Sequence, residues 1–139
     1  MLDELPVEMV RVDELEDLVL RRTFRGDKAS LKKVYVVNPL PGEYLMRIDQ
    51  PKSQSFSRSH YYANPSSYDS AFPTLIAPYL TLLLNGAGWA PGFPRLMSDK
   101  GLRAGVEKVR QMGLGRFGVV GDISCDPYVE CFLTSFFSL

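Results

Sequence analysis

Across residues 70–97 the chain carries a single charge, Arg95, yet its apolar residues never run far before a breaker: Pro73, Pro78, Asn85, Pro91 and Pro94 interrupt them. A helix that crosses a membrane needs about twenty consecutive apolar residues, and none fits between these breaks. The segment is therefore expected to be buried in short pieces inside a folded domain. Its most apolar piece, residues 79–84, is followed at once by Asn85-Gly86-Ala87-Gly88, which predicts a buried strand ending in a tight turn. Before it, Tyr68, Phe72, Leu75 and Ile76 recur near helical spacing, predicting a helix over 65–77 that Pro73 and Pro78 shorten or distort.

The flanking segments alternate in kind. Residues 5–12 read as a short strand with Val7 and Met9 on one face. Asp13 followed by Glu16 has the capping-box spacing, and Leu15, Leu18 and Val19 continue at helical intervals, predicting a helix over 13–22. Residues 33–37 form a β-branched run of the sort that is buried on both faces of a parallel sheet, and Asn38-Pro39-Leu40-Pro41-Gly42 ends it in a turn. The serine-rich stretch 51–59 reads as a surface loop. Ser98 and Asp99 cap a helix that places Leu102, Val106 and Val109 on one face and stops near Met112-Gly113. Residues 117–121 make a last buried strand, running into Asp122. Alternating strands and helices favour an α/β fold with a parallel sheet covered by helices. In such sheets the functional crevice lies beyond the carboxyl ends of the strands, which here points to Asn38, to residues 85–88 and to residues 122–126.

With 139 residues and 45% apolar content, one domain is expected. Sixteen basic residues balance sixteen acidic ones, so no basic face for nucleic acid is implied. Cys125 and Cys131 with His60 fall short of the four ligands of a structural zinc site, and no metal is expected. The first residues resemble neither a signal nor a transit peptide, giving a cytoplasmic expectation.

Gly86, Gly88 and Gly92 could be mistaken for a dinucleotide fingerprint, but Pro91 has no N–H to offer a phosphate and Pro94 discourages the helix such a cradle needs; a plain loop is the expectation. Asp122 and Asp126, four residues apart beyond a strand, are placed either to accept hydrogen bonds from ribose hydroxyls or to cap a following turn. Cys125, with no histidine or lysine near it in sequence, reads as a small hydrophobe. His60 reads as a packing or surface residue, and Trp89 and Phe93 as anchors of their loop. The apolar stretch 128–139 is suited to packing against a partner.

Several spaced motifs together resemble a known family. They are Tyr61-Tyr62-x-Asn64-Pro65-x-x-Tyr68-x-x-x-Phe72, Ile76-Ala77-Pro78-Tyr79, Leu84-Asn85-Gly86-x-x-Trp89, Pro94-Arg95-Leu96 and Gly121-Asp122-Ile123-Ser124-Cys125-Asp126-Pro127. In this order they resemble lysine-ketoglutarate reductase, the L-lysine-forming saccharopine dehydrogenase that fronts the bifunctional aminoadipic semialdehyde synthase and is similar to alanine dehydrogenase. The likeness covers residues 5–127. It implies an incomplete Rossmann-type parallel sheet with flanking helices, a partial NAD(P)-binding domain over 1–127 and an apolar tail over 128–139. It also implies hydride transfer between NADP or NAD and the imine of lysine and 2-oxoglutarate, giving saccharopine. Asp126 matches the family's aspartate beside the nicotinamide ribose; Asp122, Ser124, Asn85 and Gly86 would wall the same crevice. The family's Gly-rich loop and its substrate domain, with the acid-base residues, fall outside these residues. The chain is thus expected to be an interior slice, with no catalytic residue assigned and no activity expected of it alone, located in mitochondria if it is part of a longer bifunctional enzyme. A non-catalytic interaction protein that pairs through its tail, or an unrelated small α/β ligand-binding domain, are the alternatives.

Overall fold

The computed structural model describes residues 6–25, 33–48, 56–114 and 118–123; of Asp122 and of residues 22–25 the backbone alone is described. The chain is mixed α/β, built from short strand pairs and flanking helices, an arrangement compatible with an incomplete Rossmann-like fold. In chain order the elements are β1 (Val7–Met9), a 3-10 turn (Val12–Glu14), α1 (Leu15–Arg25), β2 (Val34–Val36), α2 (Pro41–Tyr44), β3 (Leu45–Arg47) and α3 (Arg58–Ala63). A 3-10 turn (Pro65–Ser67), β4 (Tyr68–Ser70), α4 (Phe72–Leu75), a 3-10 turn (Ala77–Tyr79), β5 (Leu82–Asn85), α5 (Asp99–Gln111) and β6 (Val119–Asp122) complete it.

Two strand–helix–strand units are present. β1 pairs with β2 in parallel, Val7 opposite Val34, and β5 with β6 in parallel, Leu82 opposite Val119 and Asn85 opposite Asp122. Between them β3 and β4 pair antiparallel, Leu45 opposite Ser70. Among the described residues the three pairs do not join into one sheet. This corrects the expectation of strands buried on both faces: Val34, Leu82, Leu84 and Val119 are exposed because no described element covers that side of their ladders.

α1 begins differently from its spacing. The side chain of Asp13 pairs with Arg11, while Glu14 accepts the Arg11 backbone N–H at 2.9 Å. The reciprocal acid thus sits two positions before Glu16, and a 3-10 turn precedes the helix. The helix expected over 65–77 is replaced by a 3-10 turn, β4 and the single turn of α4, with Pro65 and Pro73 each at the start of its piece, where a missing N–H costs nothing. The serine-rich loop ends earlier than expected, since Ser57 accepts the His60 N–H and starts α3 at Arg58. Similarly, Pro41 opens α2, where a turn was expected. The strand expected from residue 79 starts at Leu82, after the 3-10 turn that Pro78 favours.

α5 follows its sequence closely. Ser98 accepts the Gly101 N–H at 3.2 Å, and Gly113, with φ of +67°, ends the helix as only glycine does without strain. Its Val109 is buried and Leu102 and Val106 are half-buried. A Cβ on Gly101 would lie 2.7 Å from Pro73, so this glycine is what lets α5 settle on α4. Lys108 fastens the contact, donating to the Thr74 carbonyl at 2.9 Å with its ammonium 5.4 Å from the centre of the Tyr79 ring. Leu15, Phe72, Ile76, Ala77, Tyr79 and Met97 form the core. Leu15 belongs to the first unit, and Leu83 of β5 and Leu102 of α5 pack against the same cluster, so both units share it.

Candidate functional site

The carboxyl end of β5 is the focal point. Asn85, its last residue, is 7% exposed, and its Oδ1 accepts the Ala87 N–H at 3.2 Å. This side-chain turn takes the chain off the strand without a helix. Residues 86–90 adopt no regular structure and Gly92 has φ of +92°, so the glycine-spaced segment is a loop, as its prolines predict. Trp89 Nε1 donates to the Phe93 carbonyl at 2.8 Å and closes the loop on itself. Phe93 packs edge-on against Tyr61 and Tyr62, with ring centres 5.3 and 6.0 Å apart. Tyr61 in turn meets Tyr68 at 5.2 Å, and Tyr68 OH lies 3.1 Å from His60 Nδ1. His60 is therefore part of an aromatic cluster, consistent with a packing role.

A second tie holds the loop: Ser70 of β4 donates to the Leu96 carbonyl at 2.7 Å. It anchors the backbone beside Arg95, whose guanidinium lies 4.3 Å from the centre of the Trp89 ring. Together these elements enclose a pocket of about 90 Å³, lined by Tyr44, Tyr61, Asn85, Trp89, Arg95 and Leu96 among others. That is room for a few waters or one small polar group, far below the roughly 300 Å³ at which sites for whole small molecules begin. Burial pushes the Tyr44 phenol above its ordinary pKa. Tyr61 is raised by burial and, less, by Tyr44 and Tyr62. Both are protonated at neutral pH and can donate.

Of the residues singled out by the sequence, the structure brings Asn85, Gly86 and the Asp122 backbone together at the paired ends of β5 and β6, with the Ile123 N–H donating to the Asn85 carbonyl at 2.9 Å. Gly86 is exposed and leaves room above itself: a Cβ there would meet nothing nearer than Ile123 at 3.9 Å. Ser124, Asp126, Cys125, Cys131 and the stretch 128–139 lie outside the described residues. Asn38, two residues beyond β2, is exposed and does not join the pocket. Sequence reasoning missed Tyr44, Tyr61 and Arg95. Arg95 carried a signal, being the lone charge in an apolar stretch and part of a spaced motif, and Tyr61 stood in another of the motifs without being assigned to a site; Tyr44 carried none, since it reaches the pocket from α2. Among the described residues no group of three metal-ligating side chains is present, and no helix is long and apolar enough to cross a membrane.

No family model matches the chain. It is similar to alpha-aminoadipic semialdehyde synthase of Arabidopsis thaliana, 32% identical over 125 residues, which is 88% of this chain and 11% of that protein. It is also similar to the mitochondrial alpha-aminoadipic semialdehyde synthases of Bos taurus and Mus musculus, 32% and 34% identical over 96 residues, 69% of this chain and 9% of each relative. The chain spans about a tenth of the length of the curated relatives it matches. With this likeness running through most of its residues, the chain belongs, as a partial chain, to the alpha-aminoadipic semialdehyde synthase family.

Proposed function

We propose that the chain supplies the nicotinamide side of an oxidoreductase site of lysine metabolism. In the full-length enzyme, hydride would pass between NADPH or NADH and the imine of lysine and 2-oxoglutarate, giving saccharopine. The observation that carries this reading is the parallel pairing of β5 with β6, Asn85 opposite Asp122, which sets two polar strand ends side by side where α/β sheets receive their ligands. The residues fit one end of a dinucleotide: a buried amide at Asn85 beside open space above Gly86. The cofactor, when bound, supplies the hydride; this chain's part is to bind and orient its ring. Asp126 is assigned to cofactor placement, with Asp122, Ser124, Asn85 and Gly86 as walls. The mitochondrial names of two relatives extend to this chain as a proposed compartment.

Titration of the 139-residue chain with NADPH and NADH, followed by calorimetry, tests the reading. Saturable binding that Asp126→Ala abolishes supports it, whereas binding that Asp126→Ala leaves unchanged counts against the assignment of Asp126. A second reading is favoured by the apolar face of β5 and β6, where Leu82, Leu84, Val119 and Ile123 are each more than half exposed. In that reading the chain is a non-catalytic partner of another protein or of a full-length homologue, and it predicts no nucleotide binding together with co-purification of such a partner.

A further inference from the structure

We infer that Arg95, seated over Trp89, is a carboxylate-recognition residue and that the pocket beside Asn85 takes one carboxylate group of a small organic acid. The inference deepens the reading above, on which it rests for taking that acid to be a substrate; the anion preference itself follows from the pocket. Arg95 brings a positive charge to the lining, and no carboxylate lines the pocket among the described residues. The described ion pairs are Arg11–Asp13, Arg21–Asp17 and Lys33–Glu8, all on the first unit, and Arg95 takes part in none of them. A half-buried cation in a pocket with no acid favours an anion as its occupant.

The chemistry narrows the class further. A guanidinium over an indole is held by cation–π attraction yet keeps the N–H groups on its rim, and that planar fork matches the two oxygens of a carboxylate. Trp89 is itself fixed by its bond to Phe93, and Leu96 by its bond from Ser70, so the arginine is held in advance rather than ordered by the ligand. Tyr44 and Tyr61, both protonated, line the same pocket and bring no negative charge to it. A volume of about 90 Å³ admits a carboxylate with the methylene next to it, leaving the rest of a larger acid outside the pocket.

Trp89 is the sole tryptophan of the chain, so its fluorescence reads the pocket directly. The intact chain is titrated with glutarate, 2-oxoglutarate, inorganic phosphate and, separately, NADPH. The expected result is a saturable fluorescence change with both dicarboxylates, at least tenfold weaker in Arg95→Gln and intermediate in Arg95→Lys, which keeps the charge but loses the fork. Phosphate is expected to bind more weakly than glutarate; phosphate binding more tightly overturns the carboxylate assignment in favour of a phosphate site. Absence of a saturable response to the dicarboxylates, or equal affinity in Arg95→Gln, overturns the inference outright. If circular dichroism shows Arg95→Gln unfolded, Arg95→Lys decides alone, and unchanged affinity there overturns it. Dicarboxylate binding without NADPH binding separates failure of the cofactor reading from failure of this one, and the reverse pattern does the opposite.

Discussion

The molecule contains the strand–helix–strand unit twice, and the two copies differ in what happens beyond the strands. In the first, β1–α1–β2, the second strand runs out into exposed Asn38 and half-buried Pro39, and Lys33 pairs with Glu8 at 2.7 Å on the surface. In the second, β5–α5–β6, the strand ends in buried Asn85, and the loop after it folds back through Trp89 and Arg95 to make a pocket. The pairing is the same and the length is similar, so the ladder by itself does not make a site. A site arises where the chain leaving the strand is tied down by polar bonds of its own, as Asn85 to Ala87 and Trp89 to Phe93.

The copies share one core yet differ at their strand pairs and surfaces, and three measurements bear on that difference. The largest effect is expected at the core they share. Ile76 is fully buried, and Ile76→Ala should cost about 2–5 kcal/mol in urea unfolding. Because Leu15 of α1 packs in the same cluster, probes placed in the two units should report one transition; two separate midpoints would show that the units stand independently.

A smaller, local effect is expected at Gly118. A Cβ there would sit 2.4 Å from the Leu80 carbonyl oxygen and 2.8 Å from that of Thr81, and backbone cannot step aside as a side chain can. Gly118→Ala should cost about 1–3 kcal/mol by forcing β6 away from β5. Val34→Ala, on the exposed side of the first unit, should stay within about 0.5 kcal/mol. Equal losses in the two variants would mean that the close approach at Gly118 does not set the spacing of β5 and β6.

The smallest effect belongs to the first unit's surface pair. The hydrogen bond and charge of Glu8 hold Lys33 above its ordinary value of 10.5. A lysine raised in the folded state contributes its stabilisation in full below the unfolded value, and that contribution is lost as pH climbs through the folded one. The stability gap between the wild type and Glu8→Gln should therefore be slight at neutral pH, shrink in about 1 M salt, and close above pH 10.5. A gap that persists in alkali would mean that Glu8 acts through something other than the lysine.

Legibility varied along the chain for a physical reason. α5 was read closely because a serine cap, a helical apolar face and a terminal glycine are all local signals. The ends of β5 and β6 were legible as polar residues following apolar runs, and their parallel pairing agrees with the alternation of elements. The region 65–80 was misread because helical spacing at Tyr68, Phe72 and Ile76 also suits a strand followed by a single helical turn. The prolines settled that competition, each starting a new piece. β3 was invisible, since three residues carry no periodicity and its partner lies more than twenty positions away.

The amino-acid order alone fixed the α/β character, the caps of α5, the loop after Asn85 and membership of the family, because these depend on neighbours in sequence or on the order of spaced motifs. Tertiary structure alone decided that Tyr44 and Tyr61 would face Asn85 and Arg95 across one pocket, and that three short ladders would stand where one sheet was expected. Those outcomes rest on contacts between distant segments, whose closure depends on how the whole chain packs and leaves no trace in any local window.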